Sequence, residues 1–115
     1  MFNLVRPLYR HYYPNTQAII YVIDSNDRER INESIEEMKR FVLNEEELKD
    51  CVVMVLANKQ DLENAMKIDE IKVNLKEQIG TKERRDIEIF GCVATTGKGL
   101  NEAFEYLFNK LQSIN

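Results

Sequence analysis

Two unbroken apolar runs constrain this chain more than anything else in it. Ala18-Ile19-Ile20-Tyr21-Val22-Ile23 and Cys51-Val52-Val53-Met54-Val55-Leu56-Ala57 are rich in β-branched side chains and carry no charge. Such residues favour extended backbone. Unbroken runs, as opposed to alternating ones, predict strands covered on both faces, the condition of a parallel sheet. Parallel strands need long crossovers, usually helical. Neither run approaches the ~20 residues needed to span a bilayer.

The sequence between and after the runs supplies those crossovers. Ile31, Ile35, Met38 and Val42 recur at helical spacing, with a cap expected within Ser25-Asn26-Asp27. Ile68, Ile71, Leu75 and Ile79 form a second stripe, which Gly80 should end. Leu100, Ala103, Phe104, Leu107 and Leu111 form a third, after Gly99. Each stripe reads as a packing face. A short helix is expected over Val5–Tyr13, started by Pro7 and stopped before Pro14. Ile87-Glu88-Ile89-Phe90 reads as a third strand, and its charge suits a sheet edge. The alternation predicts an α/β fold with three parallel strands and flanking helices, in one domain spanning residues 1–115. Three strands make a thin sheet. In any strand order, one fully apolar strand is left at an edge, where it can pair with another chain. The sequence therefore reads as part of a larger sheet.

The charge balance removes one class of function. With 16 Lys+Arg against 20 Asp+Glu, the net charge of −4 provides no basic footprint for nucleic acid. Small anionic ligands stay possible, because backbone amides bind phosphate without net positive charge. A single His in the chain argues against a Cys/His metal site. Cys51 and Cys92 fall in strand-like segments and read as buried thiols of a reducing compartment. The N-terminus shows neither a signal-peptide pattern nor a Gly at position 2 for myristoylation, so no direct membrane anchor is expected. A cytoplasmic location follows as the expectation. Asn32-Glu33-Ser34 matches a glycosylation acceptor but lies on a predicted helix, and reads as chance.

Two polar clusters follow strands. Ala57-Asn58-Lys59-Gln60-Asp61-Leu62 comes straight after a buried strand, and ligands of open α/β sheets bind at the carboxyl ends of strands. An Asp there can accept two hydrogen bonds from adjacent N–H donors, a pair that guanine offers and adenine lacks; such charge-assisted bonds are strong. A Lys stem can lie along a flat base, and an Asn can tie the loop to its neighbours. A polar strand-end turn accounts for the same residues more simply. The second cluster, Cys92-Val93-Ala94-Thr95-Thr96-Gly97-Lys98-Gly99, has small residues that let amides approach a planar ring, or it is a turn that uses Gly for its geometry. Gly91 to Lys98 is not a phosphate-binding P-loop: five residues separate Gly91 from Gly97 where that motif has four, and Gly99 stands where it has Ser or Thr.

Arg6-Pro7-Leu8-Tyr9-Arg10-His11-Tyr12-Tyr13, Asn15-Thr16-Gln17, Asp24-Ser25-Asn26-Asp27-Arg28-Glu29-Arg30, Ala57 to Leu62 and Ala94-Thr95-Thr96-Gly97-Lys98-Gly99-Leu100 together resemble the Arf family of small GTPases, in that order and spacing, from about Val5 to the C-terminus. The resemblance implies the C-terminal half of a three-layer, P-loop-NTPase-like small-GTPase fold, with the N-terminal strands missing. It implies a GTP/GDP ligand whose guanine edge is read by Asp61. Lys59 would cover base and sugar, Asn58 would brace the loop, and the Ala94 amide would meet the guanine carbonyl, with Thr95 and Thr96 shaping that turn. Arg6 to Tyr13 would match the helix of the second switch, which in the family meets exchange factors and effectors. Golgi or vesicle membranes would be the place of action, in vesicle trafficking.

The chain departs from the family where it matters most for catalysis. The P-loop, the Mg²⁺-holding Thr and the Gly-Gly-Gln segment that positions water have no counterpart, and Met1-Phe2-Asn3-Leu4 does not match the last of these. Those parts handle phosphate, Mg²⁺ and water in P-loop NTPases. The expectation is a fragment that keeps the guanine loops and does not hydrolyse GTP by itself. The alternative is a non-catalytic interaction module that self-associates, as a homodimer, through its exposed strand at 18–23.

Overall fold

The computed structural model describes residues 17–80, 83 and 85–114. The helix expected over Val5–Tyr13 lies outside the described residues. Three strands, β1 (Ala18–Asp24), β2 (Val52–Asn58) and β3 (Glu88–Gly91), form one parallel sheet in the order β1-β2-β3. Three helices accompany them: α1 (Ile31–Met38), α2 (Ile68–Ile79) and α3 (Leu100–Ile114). α1 widens into a π-type turn over Lys39–Leu43, followed by a short 3₁₀ turn at Glu46–Leu48.

The sheet divides the apolar side chains into two layers, because successive residues of a strand point to opposite faces. On one face Ile19, Tyr21, Ile23, Val53, Val55, Ala57 and Ile89 pack against Ile31, Ile35 and Met38 of α1 and Ile71 and Leu75 of α2. On the other, Met54 and Leu56 meet Ala103 of α3, with Ile20, Val22, Phe90, Tyr106 and Leu107 around them. The three layers of the expected α/β fold are present. β2 is buried from Val52 to Ala57, as its unbroken run requires. Each such aliphatic side chain contributes about 1.5–3 kcal/mol by leaving water.

β1 departs from the sequence expectation. Its burial alternates, with Ile20 and Val22 only half-buried on the α3 side. The reason is coverage: two helices pack on one face and a single helix on the other. The third apolar stripe departs in the same place. Ala103 is fully buried, but Phe104 is 46% and Phe108 60% exposed. Tyr106 stacks on Phe90 of β3 at 5.3 Å between ring centres. Helical periodicity then puts Phe104 and Phe108 on the opposite flank, toward β1. β3 takes one edge of the sheet with its half-buried Glu88, and β1 takes the other. Among the described residues nothing pairs with the outer edge of β1.

The cap of α1 also differs. Ser25-Asn26-Asp27 form tight turns, closed by Asp27 N–H on the Asp24 carbonyl (3.2 Å) and Arg30 N–H on the Asp27 carbonyl (3.0 Å). α1 begins after Arg30 with no side-chain cap. Of the residues that could have capped it, Ser25 accepts from Gln60 through its hydroxyl, and the Asp27 carboxylate lies 3.7 Å from Arg30. α2 ends as read, with Gly80 at φ 72°, and starts with Glu70 accepting from the Lys67 amide at 3.1 Å. That bond, with lesser help from Arg28, holds the Glu70 carboxyl below its usual range.

Candidate functional site

Parallel register brings all three strand ends to one rim of the sheet. Asp24 lies opposite Asn58, and Ala57 opposite Gly91. Three loops leave this rim: the turns after β1, the Asn58–Asp61 loop after β2, and the Cys92–Gly99 turn after β3.

Backbone bonds stitch them together. Ser25 N–H donates to the Asn58 carbonyl (3.1 Å), Gln60 N–H to the Cys92 carbonyl (3.2 Å) and Met66 N–H to the Ser25 carbonyl (2.8 Å). Side chains add a second set. Asn58 Oδ1 accepts from the Ala94 amide at 2.9 Å and from the Cys92 thiol at 3.7 Å. Gln60 Nε2 donates to Ser25 Oγ (2.8 Å) and to the Met66 carbonyl (3.0 Å). This satisfies Ser25, a fully buried polar side chain. Arg28 Nε donates to the Asn64 carbonyl (2.9 Å), and its guanidinium lies 3.5 Å from Glu70.

Lys59 is the one non-Gly residue with positive φ among those described, at 66°. This left-handed conformation is uncommon for a side chain of its size. It turns the chain off β2 and sends the Lys59 ammonium across to β1, 2.9 Å from Asp24 Oδ2. Burial pushes the Asp24 carboxyl up, but the Lys59 ammonium and the Asn26 amide outweigh it and hold the group below its ordinary value. The same hydrogen bond raises the Lys59 ammonium.

Asp61 is exposed and has no polar partner among the described residues. It lines an open cleft of about 330 Å³ together with Gln60, Gly91, Cys92, Val93, Lys98 and Glu102. Lys59, Ala94 and Thr95 are not part of that lining. Ala94, Thr95 and Thr96 form an exposed turn, closed by Thr96 and Gly97 N–H on the Val93 carbonyl and by Val93 pairing with Lys98. Of the five residues read from sequence, the structure joins Asn58 to Ala94 directly, sets Lys59 and Asp61 on the same loop, and leaves Thr95 at the exposed tip. Gly99 has φ 86°, and a Cβ there would stand 2.3 Å from the Gly91 carbonyl oxygen. Its smallness serves the close approach of the turn to the end of β3 rather than a phosphate cradle. Cys51 and Cys92 are buried thiols outside any disulfide, each pushed up chiefly by burial.

Asp24 and Gln60 were given no role by sequence reading. Asp24 could have been singled out by its place at the end of a buried strand, where ligand-site residues concentrate. Gln60 occupies the variable position of its motif, and no local pattern marks it.

A parallel sheet between helical layers, with polar loops gathered at its carboxyl rim, is a partial small-GTPase form of the P-loop-NTPase-like fold. The model of the ADP-ribosylation factor family matches residues 3–111, and the chain belongs to that family. Small GTPases of this family in general bind guanine nucleotide and Mg²⁺, work with regulator and effector proteins, and serve membrane-associated trafficking. No helix among the described residues is long and apolar enough to cross a membrane.

Proposed function

We propose that these 115 residues carry the base-reading part of a guanine-nucleotide-binding member of the family. Asp61 accepts from the guanine edge, Lys59 covers the base and sugar, Asn58 braces the loop, and the Ala94–Thr95 turn faces the guanine carbonyl. One observation carries this reading. The Asn58–Ala94 bond fixes the two loops against each other, while the Asp61 carboxylate is left exposed, without a partner among the described residues. An exposed acceptor on a braced loop suits the base portion of a guanine nucleotide. With Asn58 already holding the Ala94 amide, a guanine carbonyl would have to share that donor or displace Asn58.

The described residues do not suit the metal. No group of three Asp, Glu, His or Cys among those described could hold an ion, so no step is assigned to Mg²⁺. The 115 residues contain no G-x₄-G-K-[ST] segment. Catalysis of phosphoryl transfer is positioning and charge stabilisation at the phosphates, so these residues turn over no GTP by themselves. Exchange factors and effectors are the partner class, at Golgi or vesicle membranes.

Isothermal titration with GDP and ADP tests the reading. The expected result is binding weaker than micromolar, in favour of GDP, with the preference falling by roughly 1–3 kcal/mol in Asp61→Asn, as for a lost bond to a charged acceptor. Equal affinity for the two nucleotides would overturn the assignment. Micromolar or tighter GDP binding would overturn the dependence on phosphate contacts.

A second reading is favoured by the half-covered face of β1. A second copy pairing along that strand would extend the sheet and cover Ile20, Val22, Phe104 and Phe108. The mass from light scattering decides it: a dimer is expected, and a monomer at high concentration excludes it.

A further inference from the structure

We propose that Asp24 is a positioning residue for the base site, clamping Lys59 so that its aliphatic stem is displayed along the rim of the sheet. The proposal rests on the base-reading role of the Asn58–Asp61 loop.

The geometry fixes Lys59 at both ends. Its backbone is held in the left-handed region by the turn off β2. Its ammonium is held at 2.9 Å by Asp24 Oδ2. Asp24 is itself preset: its other oxygen, Oδ1, accepts from the Asn26 amide at 3.0 Å, an Asx turn that orients the carboxylate before Lys59 arrives. Strand register then sets the distance, since Asp24 and Asn58 are direct partners across β1 and β2. A Lys side chain loses considerable rotamer freedom when it is immobilised. Held in advance, Lys59 presents its methylenes without losing that freedom again on meeting a flat ligand, which is how preorganisation raises affinity. The pair is half-exposed, so salt and solvent screen it and its effect is modest. Asp27 adds a second, weaker negative field on the ammonium.

NMR on the 115-residue chain, with GDP as the probe, tests this in two arms. In the ligand-free arm, the Asp24 carboxyl carbon is titrated in the parent chain and in Lys59→Met, which keeps an apolar stem. The midpoint should be higher in the variant; identical midpoints would overturn the clamp. In the ligand arm, GDP should move the Lys59 methylene protons upfield by ring current in the parent chain. Asp24→Asn keeps an acceptor for the Asn26 amide but loses the charge. It should weaken GDP binding by about two- to fivefold and reduce the methylene shift, with the Asn58 and Ala94 signals unmoved. Parent-like affinity and shift in Asp24→Asn would overturn the positioning role. If GDP moves no signal at Lys59, Asp61 or Ala94 in the parent chain, the base-reading proposal itself fails and the positioning role falls with it. The ligand-free arm still reports whether the ion pair exists, so the two failures are distinguishable.

Discussion

Gln60 does more for the rim than its place between Lys59 and Asp61 would imply. One amide nitrogen serves the hydroxyl of Ser25 and the carbonyl of Met66, so a single side chain joins the turn after β1 to the approach to α2. Ser25 is completely shielded from water, and an unsatisfied buried hydroxyl is costly. Replacing Gln60 by Leu, of similar size, strands both acceptors. The expected loss is about 1–3 kcal/mol of folding stability, read as a lower urea midpoint with an unchanged slope. A midpoint equal to that of the parent would mean that the bridge contributes nothing. The resemblance assigned the neighbours Asn58, Lys59 and Asp61 their roles from motif letters, and the structure adds what those letters omit. Asn58 spends its oxygen on the Ala94 amide, and Lys59 spends its charge on Asp24. Neither pairing could be read locally, because each depends on which strands lie side by side.

The elements differ in how well their surroundings were foreseen. β2 could be read outright: its uncharged run predicts cover on both faces and is buried from Val52 to Ala57, whereas the same expectation fails for β1, whose burial alternates. Gly80 as the stop of α2 was equally readable, since glycine adopts positive φ at helix ends without strain. α3 was not. Its stripe states which residues are apolar, but not how much of the sheet a single helix can cover, and Phe104 and Phe108 fall off the edge of that cover. The two sides of the sheet should answer mutation differently. Ile35→Ala, on the fully buried α1 face, should cost about 2–5 kcal/mol. Phe104→Ser, at a side chain 46% exposed, should cost clearly less, about 0.5–1.5 kcal/mol. Chemical denaturation of the two variants side by side measures this. If Phe104→Ser proves as costly as Ile35→Ala, the outer flank of α3 is covered in solution, and the self-association reading gains over a bare monomer.

For the molecule as a whole, the alternation of apolar runs and helical stripes was enough to give the parallel α/β architecture, and the ordered set of motifs was enough to give the family. What could not be read was coverage and cross-linking, both of which depend on parts distant in sequence. The strand register carries a consequence for how the site comes into being. The contact between Lys59 and Asp24 spans 35 residues and that between Asn58 and Ala94 spans 36. Contacts of such separation form only after the entropy of closing a long loop has been overcome, which slows folding and leaves them late. No single hairpin or helix of this chain holds even two of the three loops. A chain still emerging from synthesis, or one opened at β1, therefore carries every residue of the motif while having nothing with which to recognise a base.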